Sequence, residues 1–324
     1  MSPAARIAEA LGSRHHVLLL NHESPDGDCL GSTLAIAHGL WSRGQRAMVG
    51  SVDGVPGIYR FLPGSDRVVS AVPAGETFDA VVFMECSTPE RAGGLAQRAA
   101  GVPLWINIDH HMGNAGYGDL ILSDVTASAV GELVYPIVQA LVPALDARMA
   151  TCLMTALLTD TGSFRYASVT ARTFTVAADL LAAGASPAEV YTEVYENRLA
   201  STLRLLGMAL GRLTVSEDGR VAWTAVTQAM LRDSGATMEE AEGIVTALRS
   251  LRGVQVALLF KEDPEVIRVS LRGRSGVRAH VIAEAFGGGG HPAAAGFTIR
   301  GALPDVIRQT LEVVRRELGA AATP

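Results

Sequence analysis

Residues 17–32, VLLLNHESPDGDCLGS, indicate the fold class, because a short apolar run leads directly into a loop rich in acidic residues. Its first segment, Val17–Asn21 (VLLLN), has four apolar residues in a row without alternation, which is typical of a strand covered on both faces in a parallel sheet. Similar runs recur at Ala80–Met84 (AVVFM) and Leu104–Ile108 (LWINI). Helical stretches are predicted over Ser32–Arg43 and Ala147–Thr159, the second with an apolar face at 3.6-residue spacing. The sequence therefore predicts an N-terminal α/β domain built on a parallel sheet.

The pattern changes toward the C-terminus. Arg212–Glu217 and Arg220–Val226 flank Asp218-Gly219, a two-residue hairpin signal. Further elements of this region are a second hairpin, Val254–Phe260 with Glu265–Leu271, and helices at Met238–Leu251 and Pro304–Leu318. The sequence predicts a smaller α/β domain with a mixed or antiparallel sheet.

Between the two regions, Ser186-Pro187-Ala188-Glu189 is a strong helix start, with Ser as N-cap and Pro at the first helical position. We expect that helix to run to about Leu210 and to serve as a connector and hinge. The predicted organisation is a catalytic domain over residues 1–186, a helical linker over 187–211 and a second domain over 212–321.

Composition excludes several classes of protein. The chain has 324 residues, of which 48% are hydrophobic and 19% charged, so it is not a disordered chain. It carries 27 Lys and Arg against 33 Asp and Glu, a net charge of −6, which disfavours binding of long duplex nucleic acid. Aromatic residues make up only 5%, which favours loops that bring backbone close to a ligand over aromatic stacking platforms.

The three cysteines, Cys29, Cys86 and Cys152, are odd in number and far apart, unlike a disulfide framework. No apolar run approaches the roughly 20 residues that cross a bilayer, and the N-terminus does not resemble a secretion signal. We therefore expect a cytoplasmic protein without membrane association.

The loop after the first strand carries three potential metal ligands within seven residues, His22, Asp26 and Asp28. Hard divalent cations prefer oxygen-rich sites, and Gly27 lets the loop fold tightly around one. Taken alone, the motif fits a polar turn with a helix N-cap equally well.

Three further segments place acids or histidines at the ends of predicted elements. Glu85 follows the second strand, Asp109-His110-His111 ends the third, and Asp160 ends the apolar face of the long helix. Each alone also fits a solvated strand or helix end. Together they converge, because ligands of open α/β sheets bind outside the carboxyl ends of the strands.

The second domain contains a glycine run, Gly287-Gly288-Gly289-Gly290, that ends in His291. Consecutive backbone N–H groups of such a run can bind an anion, although glycine runs are more often flexible linkers. Arg272 and Arg274 lie near the end of the preceding β segment and supply cationic donors, or are surface charge.

In this order, these motifs resemble the DHH phosphoesterase superfamily over nearly the whole chain. His22-x₃-Asp26-x-Asp28 is similar to its first motif, Glu85 occupies the second, Asp109-His110-His111 is the third and Asp160 the fourth. The Gly287–His291 stretch resembles the signature of the DHH-associated C-terminal domain. Within the superfamily, the two-domain layout and the Asp160–Arg165 run resemble the nano-RNase group.

The resemblance implies a metal-dependent hydrolase of short oligonucleotides that also removes the 3′-phosphate of adenosine 3′,5′-bisphosphate. It implies two divalent ions, Mn²⁺ first, with Mg²⁺ or Co²⁺ as alternatives, whose bridging water attacks phosphorus in line. The six implied ligands are His22, Asp26 and Glu85 for one ion, and Asp28, Glu85, His110 and Asp160 for the other.

The remaining roles also follow from the resemblance. His111 would contact a phosphoryl oxygen, with Asp109 orienting the histidine pair. Arg272, His291 and the backbone of Gly288, Gly289 and Gly290 would hold the terminal phosphate of the substrate. Arg165 and Ser128 are further expected to line the nucleotide pocket. Domain closure over a short substrate is expected, and a homodimer is left open as the assembly.

Glu85 departs from the family pattern, which has an aspartate that bridges the two ions. The extra methylene puts metal preference and rate in question more than the reaction class. One alternative is a phosphodiesterase of cyclic di-AMP or its linear product, and another is a nucleotide-binding sensor silenced by Glu85. A manganese pyrophosphatase resembles the first domain only, and RecJ-type exonucleases are expected to be larger.

Overall fold

The computed structural model describes residues 1–241, 243–274, 276–291 and 293–320, with the backbone alone at positions 291 and 320. The chain divides into two compact units, Met1–Asn197 and a second that begins at Arg198. None of the helices in the described part of the chain is both long and apolar enough to span a bilayer.

The first unit is built on a parallel sheet of six strands. These strands are β1 (His16–Asn21), β2 (Arg46–Gly50), β3 (Val68–Val69), β4 (Ala80–Met84), β5 (Trp105–Asp109) and β6 (Leu120–Ser123). Their order in the sheet is β3-β2-β1-β4-β5-β6, and every pairing is parallel. The three apolar runs in the sequence are thus three adjacent interior strands of the sheet, β1, β4 and β5, which confirms the predicted α/β class.

Six helices belong to the first unit: α1 (Pro3–Gly12), α2 (Gly27–Ser42), α3 (Val130–Leu141), α4 (Ala147–Asp160), α5 (Ala171–Ala182) and α6 (Pro187–Tyr191). Short 3-10 segments lie at Gly57–Tyr59, Ser65–Arg67 and Pro89–Ala99, and a π-helical turn at Thr192–Glu196. A large apolar cluster joins α1 to α6 to one side of the sheet, and a smaller one lies around Leu18, Leu20 and Phe83.

The predicted helix over Ala147–Thr159 is confirmed as α4, whereas the helix predicted from Ser32 begins five residues earlier, at Gly27. The earlier start follows from Asp26, whose carboxylate caps the helix by accepting the N–H of Cys29 at 2.9 Å. As a result Asp28 lies in the first turn of α2 rather than in a loop.

Helices α2 and α4 pack unusually closely at Gly31. A Cβ built on Gly31 would lie 2.3 Å from the backbone oxygen of Cys152 and 3.2 Å from the nitrogen of Ala156. The missing side chain therefore allows the two helix backbones to approach each other, which holds the ends of both helices, Asp28 and Asp160, in one region.

The second unit carries a six-stranded sheet in the order β11-β12-β10-β9-β8-β7. Its strands are β7 (Thr214–Val215), β8 (Val221–Val226), β9 (Val256–Glu262), β10 (Ile267–Gly273), β11 (Gly289–His291) and β12 (Ala294–Ile299). The β8–β9 pair is parallel and the other pairs are antiparallel. Both predicted hairpins are confirmed, as β7–β8 and β9–β10, and the sheet is mixed.

Helices of the second unit are α7 (Ala200–Leu210), α8 (Gln228–Ser234), α9 (Ile244–Arg249), α10 (Ala279–Glu284) and α11 (Leu303–Ala320), with a 3-10 turn at Glu239–Ala241. The helix predicted over Met238–Leu251 is therefore shorter than expected, and Glu242 lies outside the described residues. Two apolar clusters, one around Phe260 and Phe297 and one around Leu259 and Leu205, form the core.

The prediction of a single connector helix from Ser186 to Leu210 was wrong. Ser186 does cap a helix, accepting the N–H of Glu189 at 3.2 Å, but α6 passes into the π-helical turn and ends before Asn197. A separate helix, α7, begins at Ala200 in the second unit. Side-chain periodicity is nearly the same across such a break, so the sequence pattern does not reveal it. The predicted domain limits at 186 and 212 stay predictions.

Candidate active site

Three neighbouring strands of the first sheet end in potential ligands. His22 follows β1, Glu85 follows β4, and His110 follows β5, and these strands are adjacent in the order β1-β4-β5. Because the strands are parallel, their carboxyl ends lie at one edge of the sheet, where α2 begins and α4 ends. The structure therefore brings together residues that are far apart in the sequence.

Glu85 lies at the centre of this group and is 3% exposed. Its Oε1 is 3.4 Å from Nε2 of His110, and its Oε2 is 3.8 Å from Nε2 of His22. Among the described atoms, Oε2 has no hydrogen-bond partner although it is buried. Leaving a buried carboxylate oxygen without a partner is costly, so this atom is suited to a cation.

The backbone at Glu85 adopts φ 53°, in the left-handed region that residues with a side chain rarely occupy. Its N–H still donates to the carbonyl of Ile108 on β5 at 2.9 Å, so the strand pairing extends to this residue. Such strain is found where the surrounding structure requires one side-chain direction, commonly at functional sites. Here it accompanies a carboxylate directed between two histidines.

The two histidines beside Glu85 are oriented alike. Nδ1 of His22 lies 2.7 Å from the carbonyl of Glu23, and Nδ1 of His110 lies 3.1 Å from the carbonyl of Ala127. A carbonyl oxygen can only accept, so each Nδ1 carries a proton, and in the neutral form of each ring the lone pair is on Nε2, toward the cluster. This tautomer is the one that a metal ion requires of a histidine bound through Nε2.

Asp28 is almost fully buried and its carboxylate caps a distant helix. It accepts the N–H of Val130 at 2.6 Å, the N–H of Gly131 at 2.9 Å and the hydroxyl of Ser32 at 3.1 Å. Helix α3 begins at Val130 and its own N-cap residue, Ala129, supplies no side-chain bond. Asp28 therefore ties α2 to α3 while one of its oxygens stays within 4.8 Å of ligand atoms of His110 and Asp160.

Asp26 and Asp160 differ from the buried acids. Asp26 is exposed and caps α2, and it is absent from the three groups of ligand atoms that lie within 4.8 Å of one another in the described residues. Asp160 is partly exposed, with Oδ2 3.5 Å from Nε2 of His110. Asp26 is still close enough to raise the pKa of both Glu85 and Asp160.

Several carboxylates are crowded into a small buried volume, which shifts the pKa values of the residues in the cluster. Burial raises the pKa of Glu85 well above its ordinary value, and the charges of Asp28, Asp26 and Asp160 raise it further. Burial and then Asp28 likewise raise the pKa of Asp160. For His110 burial opposes protonation, but Asp28 and Asp160 outweigh it and the pKa of His110 rises. The charge contribution has the same origin in all three shifts, the crowding of carboxylates around the site.

Asp109 lies beneath His111 and is fully buried. Its Oδ1 is 2.6 Å from Nδ1 of His111 and accepts the backbone N–H groups of His110 and His111, while Oδ2 accepts from Asn114 at 2.6 Å and Ser87 at 3.2 Å. Burial alone would raise its pKa, but the bonds from His111 and Asn114 outweigh that effect and lower it to about 2. Nε2 of His111 is turned away from Asp109, on a side chain that is 28% exposed.

Two further residues of the first unit, Arg165 and Ser128, were expected to line the nucleotide pocket, and their surroundings differ from each other. Arg165 is exposed, and its Nε donates to the carbonyl of Gly162 at 2.6 Å. Ser128 is 1% exposed and its hydroxyl is engaged with Glu132 at 2.5 Å and Thr173 at 3.0 Å. Its hydroxyl thus contacts both α3 and α5, and a role of Ser128 in a nucleotide pocket stays a prediction.

In the second unit the last two glycines of the run, Gly289 and Gly290, begin strand β11, which pairs with β12. A Cβ on Gly288 would lie 2.2 Å from the oxygen of Gly296, and one on Gly290 would lie 2.5 Å from that of Ala294, so both are required by the close strand pairing. Gly289 has open space around it. Arg272 is paired with Ala294 across β10–β12, so it lies in the same sheet as this run, and the side chain of His291 lies outside the described residues.

Two residues of the site were not predicted from the sequence. Sγ of Cys29 lies within 4.8 Å of ligand atoms of His22 and Glu85, and donates to Oδ1 of Asn21 at 3.1 Å. Asn114 bridges Oδ1 of Asn107 and Oδ2 of Asp109. Cys29 could have been identified because it directly follows Asp28, a predicted ligand. Nothing in the sequence around Asn114 indicates a role for that residue.

A parallel α/β sheet with an acid and histidine cluster at its carboxyl edge, joined to a second unit with a mixed sheet, defines the class of protein. A family model described as the DHH family, N-terminal domain, matches residues 16–157, and one described as the DHHA1 domain matches residues 220–320. The chain belongs to the DHH family and carries a DHHA1 domain, as its sequence motifs predicted.

Relatives of known name match over most of their length. A protein of Thermus thermophilus named bifunctional oligoribonuclease and PAP phosphatase NrnA is 34% identical over 94% of this chain and 91% of its own. A Bacillus subtilis protein of the same name is 27% identical over 87% of this chain and 89% of its own. An exopolyphosphatase-related protein from Bacteroides fragilis has a similar fold, with a TM-score of 0.88, 24% identity and coverage of 98% and 96% of the two chains.

Proposed function

We propose that this chain is a metal-dependent phosphoesterase that hydrolyses short oligonucleotides and the 3′-phosphate of adenosine 3′,5′-bisphosphate. The observation that carries the proposal is the buried Oε2 of Glu85, which has no hydrogen-bond partner among the described atoms and lies 3.8 Å from Nε2 of His22. The names of the Thermus and Bacillus relatives supply the substrate class.

The donor set fits divalent cations. Carboxylate oxygens and neutral imidazole nitrogens suit Mn²⁺, with Mg²⁺ or Co²⁺ as alternatives, and a deficit of positive charge surrounds Glu85. His22, Asp26 and Glu85 would hold one ion, and Asp28, Glu85, His110 and Asp160 would hold a second. Bound cations would lower the pKa of a water nucleophile and neutralise charge that develops on the phosphoryl oxygens.

Other side chains position these groups. The carbonyls of Glu23 and Ala127 hold the imidazoles of His22 and His110 with Nε2 toward the cluster. The carboxylate of Asp109 fixes the ring of His111 through Nδ1, so that Nε2 is directed away from it, where it would donate to a phosphoryl oxygen. The ionised carboxylate of Asp109 makes a charge-assisted bond of this kind, which keeps the ring of His111 in one orientation.

In the second unit, we assign phosphate binding to Arg272, His291 and the backbone of Gly288, Gly289 and Gly290. The openness around Gly289 supports this assignment, because a phosphate requires close approach to backbone N–H groups. Arg165 remains a candidate for the nucleotide pocket because it is exposed and lies five residues after Asp160.

The net charge of −6 supports short substrates over long duplexes. The buried free thiols of Cys29, Cys86 and Cys152 support a cytoplasmic location.

The test is a turnover panel with 5′-phosphorylated di- to pentanucleotides, adenosine 3′,5′-bisphosphate, cyclic di-AMP and its linear product. Each is measured with Mn²⁺, Mg²⁺, Co²⁺ or EDTA. We expect turnover of the short oligonucleotides and the bisphosphate with Mn²⁺ and none in EDTA, with Asp160→Asn inactive and the exposed control Asp66→Asn unchanged. Preference for the cyclic dinucleotide would favour the alternative phosphodiesterase. Binding of dinucleotide without turnover under any metal would indicate a sensor and contradict the proposal.

A further inference from the structure

Two phenylalanines form an exposed aromatic pair on the first unit. The rings of Phe164 and Phe174 are stacked, with centroids 5.3 Å apart and an angle of 26° between their planes. Phe164 is half-buried and packs against the apolar core, whereas Phe174, on α5, is 56% exposed. A phenylalanine with more than half of its surface in water, stacked on an anchored partner, offers an aromatic face to a ligand.

The pair is joined to the candidate active site through both of its members. The N–H of Phe164 donates to Oγ1 of Thr161, the residue after Asp160, at 2.9 Å. Thr173, next to Phe174, contacts the hydroxyl of Ser128 at 3.0 Å, and the preceding residue, Ala127, accepts from His110. Each ring is therefore separated from a candidate metal ligand by a short chain of contacts.

The backbone that carries Phe164 is strained. Gly162, Ser163 and Phe164 have φ values of 56°, 60° and 63°, a run of three residues in the left-handed region. Only the first is a glycine, so the other two oppose this conformation by about 1–2 kcal/mol each. The run is held by Thr161, whose carbonyl accepts from Arg165 and Tyr166. Strain of this kind next to a ligand cluster indicates that the ring position is functional.

Charge next to the pair is favourable to a nucleotide. Arg165 follows Phe164 directly and is exposed, with Nε fixed by the carbonyl of Gly162. An aromatic ring that stacks on a base, beside a cation that attracts the backbone phosphate, is the combination that binds single-stranded nucleotides. The low aromatic content of the chain argued against such a platform, but an average over 324 residues does not detect one local pair.

We propose that Phe174, supported by Phe164, is the stacking platform for one nucleobase of the substrate. The proposal rests on the function proposed above and adds a base-binding subsite to it. It also gives a reason for strain after Asp160: the left-handed run turns Phe164 into position to support Phe174. A subsite of this kind recognises the π-face common to all bases and is tolerant of sequence.

The experiment compares Phe174→Ala with Phe174→Tyr and with Leu181→Ala. Leu181 is a matched control, because it is 55% exposed on the same helix and lies about 10 Å farther along it. The substrates are a 5′-phosphorylated diadenylate and versions of it with an abasic 1-deoxyribose unit at one or both positions, all with Mn²⁺. Circular dichroism melting of each variant establishes that it is folded.

We expect Phe174→Ala to lower kcat/KM for the diadenylate about 5- to 100-fold, mainly through KM. Phe174→Tyr should restore it and Leu181→Ala should match the wild type. The loss should vanish on the substrate that lacks the stacked base, and the single abasic versions identify which base that is. An equal loss on normal and abasic substrates, or no difference between Phe174→Ala and Leu181→Ala, would overturn the platform. A wild-type protein inert on every substrate would instead contradict the proposed function, and dinucleotide binding by the same variants would then test the platform.

Discussion

Oε1 of Glu85 lies 3.4 Å from Nε2 of His110, and neither residue is more than 7% exposed. The pair forms between the ends of adjacent strands β4 and β5, under a backbone φ of 53° at Glu85. If Glu85 had lost its role, its carboxylate would be expected to turn toward water, where ionisation is favourable. Instead it is held where its charge is costly, a cost that a bound cation would offset.

The metal-free protein should lose stability as the pH rises from about 4.5 toward 8. Glu85 and Asp160 have pKa values raised above their ordinary 4.5 and 3.8, and that of His110 is raised above 6.5. The folded state therefore retains protons that the unfolded chain releases. Its advantage is complete below pH 3.8, the lowest of these ordinary values, and is lost as the pH rises through the raised pKa values. Thermal melting in EDTA across this range tests the sign. Addition of Mn²⁺ should recover the lost stability, most strongly at the upper end.

A melting temperature in EDTA that climbs steadily over the same range would show that the cluster does not hold excess protons. Asp109, whose pKa is lowered to about 2, acts in the opposite direction, but only below its ordinary pKa of 3.8. It stabilises the fold above that value and loses this effect as the pH falls through 2, so it does not obscure the window above 4.5.

Glu85→Gln should separate stability from activity. Removing the buried charge should raise the metal-free free energy of unfolding at pH 8 by about 1–3 kcal/mol. Hydrolysis should fall by at least about 10³-fold, because the carboxylate that is proposed to bridge the two ions would be lost. Chemical denaturation and turnover are measured on the same preparation.

Glu85→Asp is the control for that substitution, because aspartate is the residue the family pattern has at this position. It shortens the side chain by one methylene and should retain hydrolysis with an altered preference among Mn²⁺, Mg²⁺ and Co²⁺. A Glu85→Gln protein as active as the wild type would remove Glu85 from the mechanism.

His111→Ala should lower kcat about 10²- to 10³-fold and leave Mn²⁺ affinity nearly unchanged. The side chain is 28% exposed and its Nδ1 is engaged by Asp109, so under the proposed function it would contact a phosphoryl oxygen rather than a cation. Calorimetric titration of Mn²⁺ beside steady-state kinetics separates the two effects. Loss of Mn²⁺ affinity in parallel with kcat would make His111 a ligand, which its distance from Glu85 and His110 also permits.

Gly31→Ala should destabilise the first unit by about 1–3 kcal/mol, because the new Cβ would lie 2.3 Å from the oxygen of Cys152. Gly207→Ala is the matched control. Gly207 lies inside α7 with nothing within 4 Å of its Cβ position, so alanine there should stabilise the helix by about 0.5–1 kcal/mol. Urea unfolding of both variants checks the pair, and equal effects would mean that α2 and α4 are not in close contact at Gly31.

The sequence predicted the sheet, and it predicted that most residues of the candidate site lie together, because both depend on local pattern. Apolar runs mark β1, β4 and β5, and parallel pairing then places His22, Glu85 and His110 at one edge without knowledge of side-chain contacts. Asp26 was identifiable as either a ligand or an N-cap, and the structure shows the cap. The roles expected of these residues came from the resemblance to the family motifs.

Contacts across long sequence separations were not predictable in the same way. The capping of α3 by Asp28 joins residues about 100 positions apart, and the support of Asp109 by Asn114 depends on how one loop folds. The break at Asn197 and the inward hydroxyl of Ser128 are likewise set by tertiary packing. Periodicity and motif spacing contain no information on these features.

The most direct test of the account is a crystal grown with Mn²⁺ and measured at the manganese absorption edge. We predict two anomalous peaks, one about 2.0–2.3 Å from Nε2 of His22 and the other at a similar distance from Nε2 of His110. The carboxylate of Glu85 should be bonded to both. A map without peaks at saturating Mn²⁺, or peaks that Glu85 does not touch, would contradict it.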